Sequence, residues 1–164
     1  MGDDAVGPHV VARLLAGFEF SPGVAVVDVG TPGLDLTPYL AGLRAAVVVD
    51  AVRGDTPGGV RVIRKGELVT WSVPPRLSPH DPGLLECLMA LELAGRAPAD
   101  VTLVGVAPAS VATGTALTPI VAAALPAAVQ AVLDELRRLG VPPRPRPQPT
   151  PPDLWWERPA AVPR

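Results

Sequence analysis

The run Ala45-Ala46-Val47-Val48-Val49-Asp50 constrains the fold more than any other stretch of the chain. It is short, continuous and β-branched, which suits a strand covered on both faces in a parallel sheet, and it stops abruptly on a carboxylate. Ligands of open α/β sheets sit in the crevice at the carboxyl ends of the strands, so Asp50 stands where an acid is useful. The plainer reading is a strand-ending Asp that opens the turn Ala51-Val52-Arg53-Gly54-Asp55.

Other segments repeat this grammar. Asp3 or Asp4 reads as the N-cap of a first helix carrying Val6, Val10, Val11, Leu14 and Leu15, with Pro8 in its first turn and Gly17 as its stop. Val24-Ala25-Val26-Val27 reads as a strand ending on Asp28, with a turn at Gly30-Thr31-Pro32-Gly33 and a short helix over residues 34–40. Val60 to Arg64 alternates as a half-exposed strand, placed as an antiparallel hairpin partner of the Asp50 strand. Residues 68–77 read as irregular. Ser78-Pro79-His80-Asp81-Pro82-Gly83 leads into a helix with Leu84, Leu85, Leu88, Leu91 and Leu93. Residues 101–106 form another buried strand, and Thr118-Pro119 opens a last helix that ends at Gly140.

Residues 1–140 therefore predict one α/β domain, a three-layer α-β-α sandwich with a mostly parallel sheet. The chain starts directly on a helix, so a first strand reads as missing from it. The Pro-rich segment 141–164 reads as a disordered tail, with the pair Trp155-Trp156 able to pack back on the domain.

The bulk numbers exclude several classes. With 16 acidic against 14 basic residues, nothing favours nucleic acid or an anionic membrane as partner. No apolar stretch reads as long enough to cross a bilayer, and the N-terminus does not have the form of a signal peptide. The single cysteine, Cys87, falls in an apolar helical pattern and reads as an inert core thiol of a cytoplasmic protein. There is no His-Glu-x-x-His, Cys-x-x-Cys, Gly-x-Ser-x-Gly or Gly-x-Gly-x-x-Gly, which argues against a zincin, a serine hydrolase and a dinucleotide enzyme.

In a parallel sheet every strand-to-helix turn lies on one edge, which gathers Asp28, Asp50 and Ser110 there, with Asp4 if a strand once fed the first helix. His80 joins them if its loop returns across that edge. Two carboxylates and an imidazole make an open site suited to a divalent first-row metal such as nickel or zinc. Beside these, Asp28 and Thr31 read as turn builders, His9 as a solvent-facing helix residue, and Asp81 and Glu86 as first-turn acids favoured by the helix dipole. Ser110 has no partner in sequence that would activate it as a nucleophile.

Five segments occur in a telling order: Gly2-Asp3-Asp4-Ala5-Val6-Gly7-Pro8, Asp28-Val29-Gly30-Thr31-Pro32-Gly33-Leu34, Val49-Asp50-Ala51, Ser78-Pro79-His80-Asp81-Pro82-Gly83-Leu84 and Leu103-Val104-Gly105-Val106-Ala107-Pro108. Together they resemble the hydrogenase maturation proteases, endopeptidases of the M52 type, from about residue 2 to residue 139. The resemblance implies removal of a short C-terminal peptide from the nickel-iron hydrogenase large-subunit precursor after nickel insertion. It implies Asp4, Asp50 and His80 as the catalytic, metal-contacting residues, with nickel supplied by the precursor and no organic cofactor. The family pattern places a strand and a Gly-Asn turn ahead of the acidic pair, and their absence here implies a misplaced start or a truncated gene. On that basis the alternative expectation is a non-catalytic, metal-dependent binding module for the precursor.

Overall fold

The computed structural model describes residues 2–30, 36–70, 83–112, 114 and 116–157. The chain opens with a 3-10 turn (Gly2–Ala5), followed by α1 (Val6–Gly17), β1 (Phe18–Glu19), α2 (Thr37–Leu40), β2 (Ala45–Ala51), β3 (Val60–Arg64) and α3 (Lys65–Thr70). Then come α4 (Leu84–Leu93), β4 (Asp100–Val106), α5 (Pro119–Arg138), β5 (Arg144–Pro145) and a closing 3-10 turn (Trp155–Glu157).

β4 is the centre. Its register runs parallel to β2, from Ala45 opposite Asp100 to Ala51 opposite Val106, and antiparallel to β3, from Val60 opposite Val106 to Arg64 opposite Thr102. The sheet order is β2-β4-β3. β3 thus pairs with β4 and not, as the sequence suggested, with β2. The reason is non-local: β4 is the more completely apolar strand and gives β3 a fully buried partner.

Alternation along the strands divides the interior into two cores. Val104 and Val106 face Val6, Val10 and Leu14 of α1 and Val121, Leu125 and Val132 of α5. Val101 and Leu103 face Leu88 and Leu91 of α4, with Leu40, Ile63 and Leu68. Helices therefore cover both faces, which is the three-layer α-β-α arrangement.

Several expectations change. Residues 24–27 form no strand, since nothing among the described residues pairs with them. Lys65–Thr70 is helical where irregular chain was expected from residue 68. α1 has Ala5 as N-cap with no side-chain cap, so neither Asp3 nor Asp4 caps it. α5, twenty residues long, is apolar and long enough to cross a membrane by length and composition, contrary to the sequence reading. Its apolar stripe of Val121, Leu125, Ala128, Val132 and Leu136 is accounted for by the core it fills.

The Pro-rich segment also departs from a disordered extension over residues 141–157. β5 pairs antiparallel with β1, the Arg146 N–H donates to the Gly17 carbonyl at 2.8 Å, and the Thr150 N–H donates to the Ala16 carbonyl at 3.1 Å. Prolines leave this segment few backbone donors, and two of them, at Arg146 and Thr150, reach carbonyls at the C-terminal end of α1. The segment ends with Trp156 edge-on to His9, ring centroids 5.3 Å apart. His9 is accordingly buried rather than solvent-facing. Its burial, aided by the Arg13 charge and opposed by Glu157, lowers its pKa.

At the amino end of β4 the buried Glu135 of α5 gathers Arg64 (2.8 Å), Arg138 (2.6 Å) and the Thr102 hydroxyl (3.2 Å). Burial acts to raise its pKa, but the hydrogen bonds from Arg64, Arg138 and Thr102 outweigh it and hold the carboxyl below its ordinary value. Glu135→Ala is expected to cost about 2 to 3 kcal/mol, because it strips partners from a buried hydroxyl and two guanidinium groups. A lowered urea midpoint with an unchanged slope checks this.

Candidate active site at the carboxyl edge of the sheet

Asp50 is the last polar residue of β2, opposite Gly105 of β4. The ladder continues past it, since the Val52 N–H donates to the Val106 carbonyl at 2.9 Å. The chain then folds over β4, and a Cβ at Gly105 would lie 2.2 Å from Val52 Cγ2. Only glycine leaves room for that crossing. Asp50 itself is exposed, and one of its carboxylate oxygens accepts the Ala51 N–H at 2.8 Å. The turn-opening role and the exposed position coexist in the same side chain.

Asp4 comes to the same edge by a different route. The opening 3-10 turn packs against β2. α1 begins so close that a Cβ at Gly7 would lie 2.7 Å from the Val49 carbonyl oxygen. The segment carrying Asp4 is therefore held beside the strand end carrying Asp50, and Asp4 is half-buried there.

Asp3 does the holding. It is almost completely buried, at 1% exposure, and accepts four hydrogen bonds from the loop between β4 and α5. The Ala109 N–H (2.9 Å), the Ser110 N–H (3.0 Å) and the Thr118 hydroxyl (3.0 Å) donate to one oxygen, and the Thr118 N–H (2.7 Å) donates to the other. Burial acts to raise its pKa, but the Thr118, Ser110 and Ala109 N–H groups and the Thr118 hydroxyl more than compensate and lower it. Thr118 is the N-cap of α5, so one carboxylate ties the turn bearing Asp4 to the loop after β4 and to the start of α5. Sequence reasoning missed this role, and the doubled acid Asp3-Asp4 was its only signal.

The other expected residues sort as follows. Asp28 accepts the Gly30 N–H at 2.8 Å and builds a turn. Ser110 is used by Asp3 through its backbone, and its hydroxyl accepts the Ala112 N–H at 3.1 Å. Cys87 is buried, its sulfur 3.2 Å from the Thr37 hydroxyl. Glu86 lies in the first turn of α4. His80 and Asp81 lie outside the described residues, and so does Thr31. Among the described residues no three His, Cys, Asp or Glu side chains gather to hold a metal ion. Asp4 and Asp50 supply two hard oxygen donors to one edge, a set that fits a divalent ion bringing further ligands of its own.

The fold is thus an α/β sandwich with two acids, Asp4 and Asp50, at the carboxyl edge of its parallel strand pair, the first of them next to the buried, hydrogen-bonded Asp3. A family model described as hydrogenase maturation protease matches residues 8–135. The chain is 34% identical over 146 residues to the hydrogenase 2 maturation protease of Escherichia coli K12, covering 88% of each protein. It is 32% identical over 146 residues to the hydrogenase expression/formation protein HoxM of Cupriavidus necator, covering 88% of this chain and 72% of that one. Among solved structures it superposes on the hydrogenase maturating endopeptidase HybD of Escherichia coli with a TM-score of 0.80 and 33% identity, covering 89% of this chain and 91% of that one. The chain belongs to the hydrogenase maturation protease family. It is a protease by kinship, and the non-catalytic binding module is set aside.

Proposed function

We propose that the protein hydrolyses one peptide bond near the C-terminus of a nickel-iron hydrogenase large-subunit precursor, with nickel carried by that precursor as the recognition element. The observation that carries this reading is the placement of Asp4 and Asp50 on adjoining segments of one sheet edge. Two carboxylates would fill part of a nickel coordination shell, and the rest would be left to the precursor's own ligands and to His80. Such a partial site binds weakly without the precursor, which ties cleavage to a loaded substrate.

In the reaction, water adds to the scissile carbonyl carbon and the C–N bond breaks, leaving a carboxylate on the mature subunit and an amine on the released peptide. Asp4 and Asp50 would help hold a divalent ion brought by the precursor, which when bound would supply polarisation of a carbonyl or a water, and the chain's part is to hold the precursor against the edge. A cytoplasmic setting is part of the same proposal, and a lone buried thiol at Cys87 is compatible with it.

The test is His80→Ala. Trimming of nickel-loaded precursor is expected to fall at least about a hundredfold, with the far-ultraviolet circular dichroism unchanged. Trimming at the parent rate by a folded His80→Ala protein would remove the histidine from the site.

A further inference from the structure

The Pro-rich segment after α5 is a strap, fastened to one end of α1 and reaching the other. The β5–β1 pairing, the Arg146 and Thr150 N–H groups on the Gly17 and Ala16 carbonyls, and Arg146 Nε on the Leu15 carbonyl at 3.0 Å fix it to the C-terminal end of the helix. Pro147, Pro149, Pro151 and Pro152 favour an extended chain as it runs back. The closing 3-10 turn then sets Trp156 edge-on to His9, in the first turn of α1. That turn starts at the carboxyl edge of the sheet, where Gly7 abuts Val49 and where Asp4 directly precedes the helix. The strap therefore ends beside the edge that carries both acids.

The covered ring is poorly provided for. His9 is 8% exposed, and neither ring nitrogen has a hydrogen-bond partner among the described residues. A neutral imidazole carries one N–H and one acceptor nitrogen, whereas an imidazolium carries two N–H groups and a full charge. Burial without acceptors thus penalises the charged ring far more than the neutral one. Two charges act on it. Arg13, on its own helix, opposes a proton, and Glu157, on the strap, favours one but is exposed, so water and salt screen it. Attraction of an imidazolium to the indole also favours the proton, yet it returns less than the hydration that a buried cation gives up. The balance lowers the His9 pKa while Trp156 covers the ring.

We propose that His9 and Trp156 form a proton-operated latch: neutral His9 holds the end of the strap on the first turn of α1, and protonated His9 releases it. The released ring takes a proton more readily than the covered one. Docking is therefore complete above the ordinary histidine value of 6.5 and weakens as pH falls below it toward the covered value. Within that window one proton changes the docked-to-released ratio by up to about tenfold per pH unit. The anchors on residues 15–17 contain nothing that titrates there, so the strap stays tethered and only its end lifts. Lifting it uncovers the start of α1 next to the turn that carries Asp4.

The experiment follows the indole N–H resonance of Trp156 in the full chain from pH 8 to pH 5, assigned by its loss in Trp156→Phe, and it stands apart from any cleavage assay. In the parent the resonance is expected to leave its docked position as pH falls below 6.5 and to move toward that of a solvent-exposed indole. His9→Phe keeps an aromatic ring under Trp156 and takes no proton, so its resonance should hold the docked position throughout. The reciprocal measurement reads the His9 ring signals, and Trp156→Ala should raise the His9 pKa toward the ordinary value. A parent resonance that ignores pH, the same pH response in His9→Phe, or a His9 pKa unmoved by Trp156→Ala would overturn the latch.

Discussion

Asp50→Asn is expected to slow trimming of the nickel-loaded precursor at least about a hundredfold, since mutation of residues that merely orient metal ligands already costs 10- to 100-fold. The substitution isolates charge from structure. Asparagine keeps an oxygen for the Ala51 N–H, now at 2.8 Å, and leaves the ladder with Gly105 and the Val52–Val106 hydrogen bond in place. What it removes is the anionic donor at the strand end. Melting temperature should therefore stay within a few degrees while a time course of precursor trimming collapses. Asp4→Asn should behave alike, because the fold at the amino end is secured by its neighbour. Parent-rate trimming by a folded Asp50→Asn protein would take the residue out of the reaction.

Asp3→Ala should be the most destabilising single change at this edge, by about 3 to 5 kcal/mol. It deletes the acceptor for three N–H groups and one hydroxyl and leaves donors at Ala109 and Thr118 without it. Differential scanning calorimetry is expected to show a fall of about 10 °C for a domain of this size. Trimming should fall as well, because the turn bearing Asp4 loses its tie to the loop after β4. Asp3→Asn keeps one oxygen and should be milder. The acid limb of stability carries the same residue's signature. Its carboxyl titrates lower in the folded protein than in the unfolded chain, so its contribution is complete above the ordinary aspartate range. That contribution is lost as pH falls through the folded value. The Asp3→Ala protein should accordingly lose less stability than the parent on going from pH 5 to about pH 3.

What was legible in the sequence was local. β4, α4 and α5 carry their own evidence: a continuous β-branched run, a leucine-rich helical stripe, and Thr118-Pro119 at the start of a long periodic segment. Asp50 was read as the last residue of its strand, and it stands one residue short of the end of β2, exposed at the carboxyl edge. The misreadings share a different cause. Residues 24–27 have the composition and alternation of a strand, but a strand exists only with a ladder partner, and composition does not supply one. β3 chose β4 over its sequence neighbour. His9 was read as exposed from its place beside the helix stripe, and Trp156, far along the chain, covers it. Asp3 looked like a cap for the helix that follows it, whereas its four donors come from residues 109–118. In each case the deciding contact is one that no local pattern encodes.

The most direct measurement is intact mass spectrometry of a nickel-loaded hydrogenase large-subunit precursor, before and after incubation with this protein, beside a precursor prepared without nickel. Loss of a short C-terminal peptide from the loaded precursor alone is the predicted result. An unchanged mass for the loaded precursor, with the protein verified as folded, would contradict the account, and equal trimming of both precursors would contradict nickel as its recognition element.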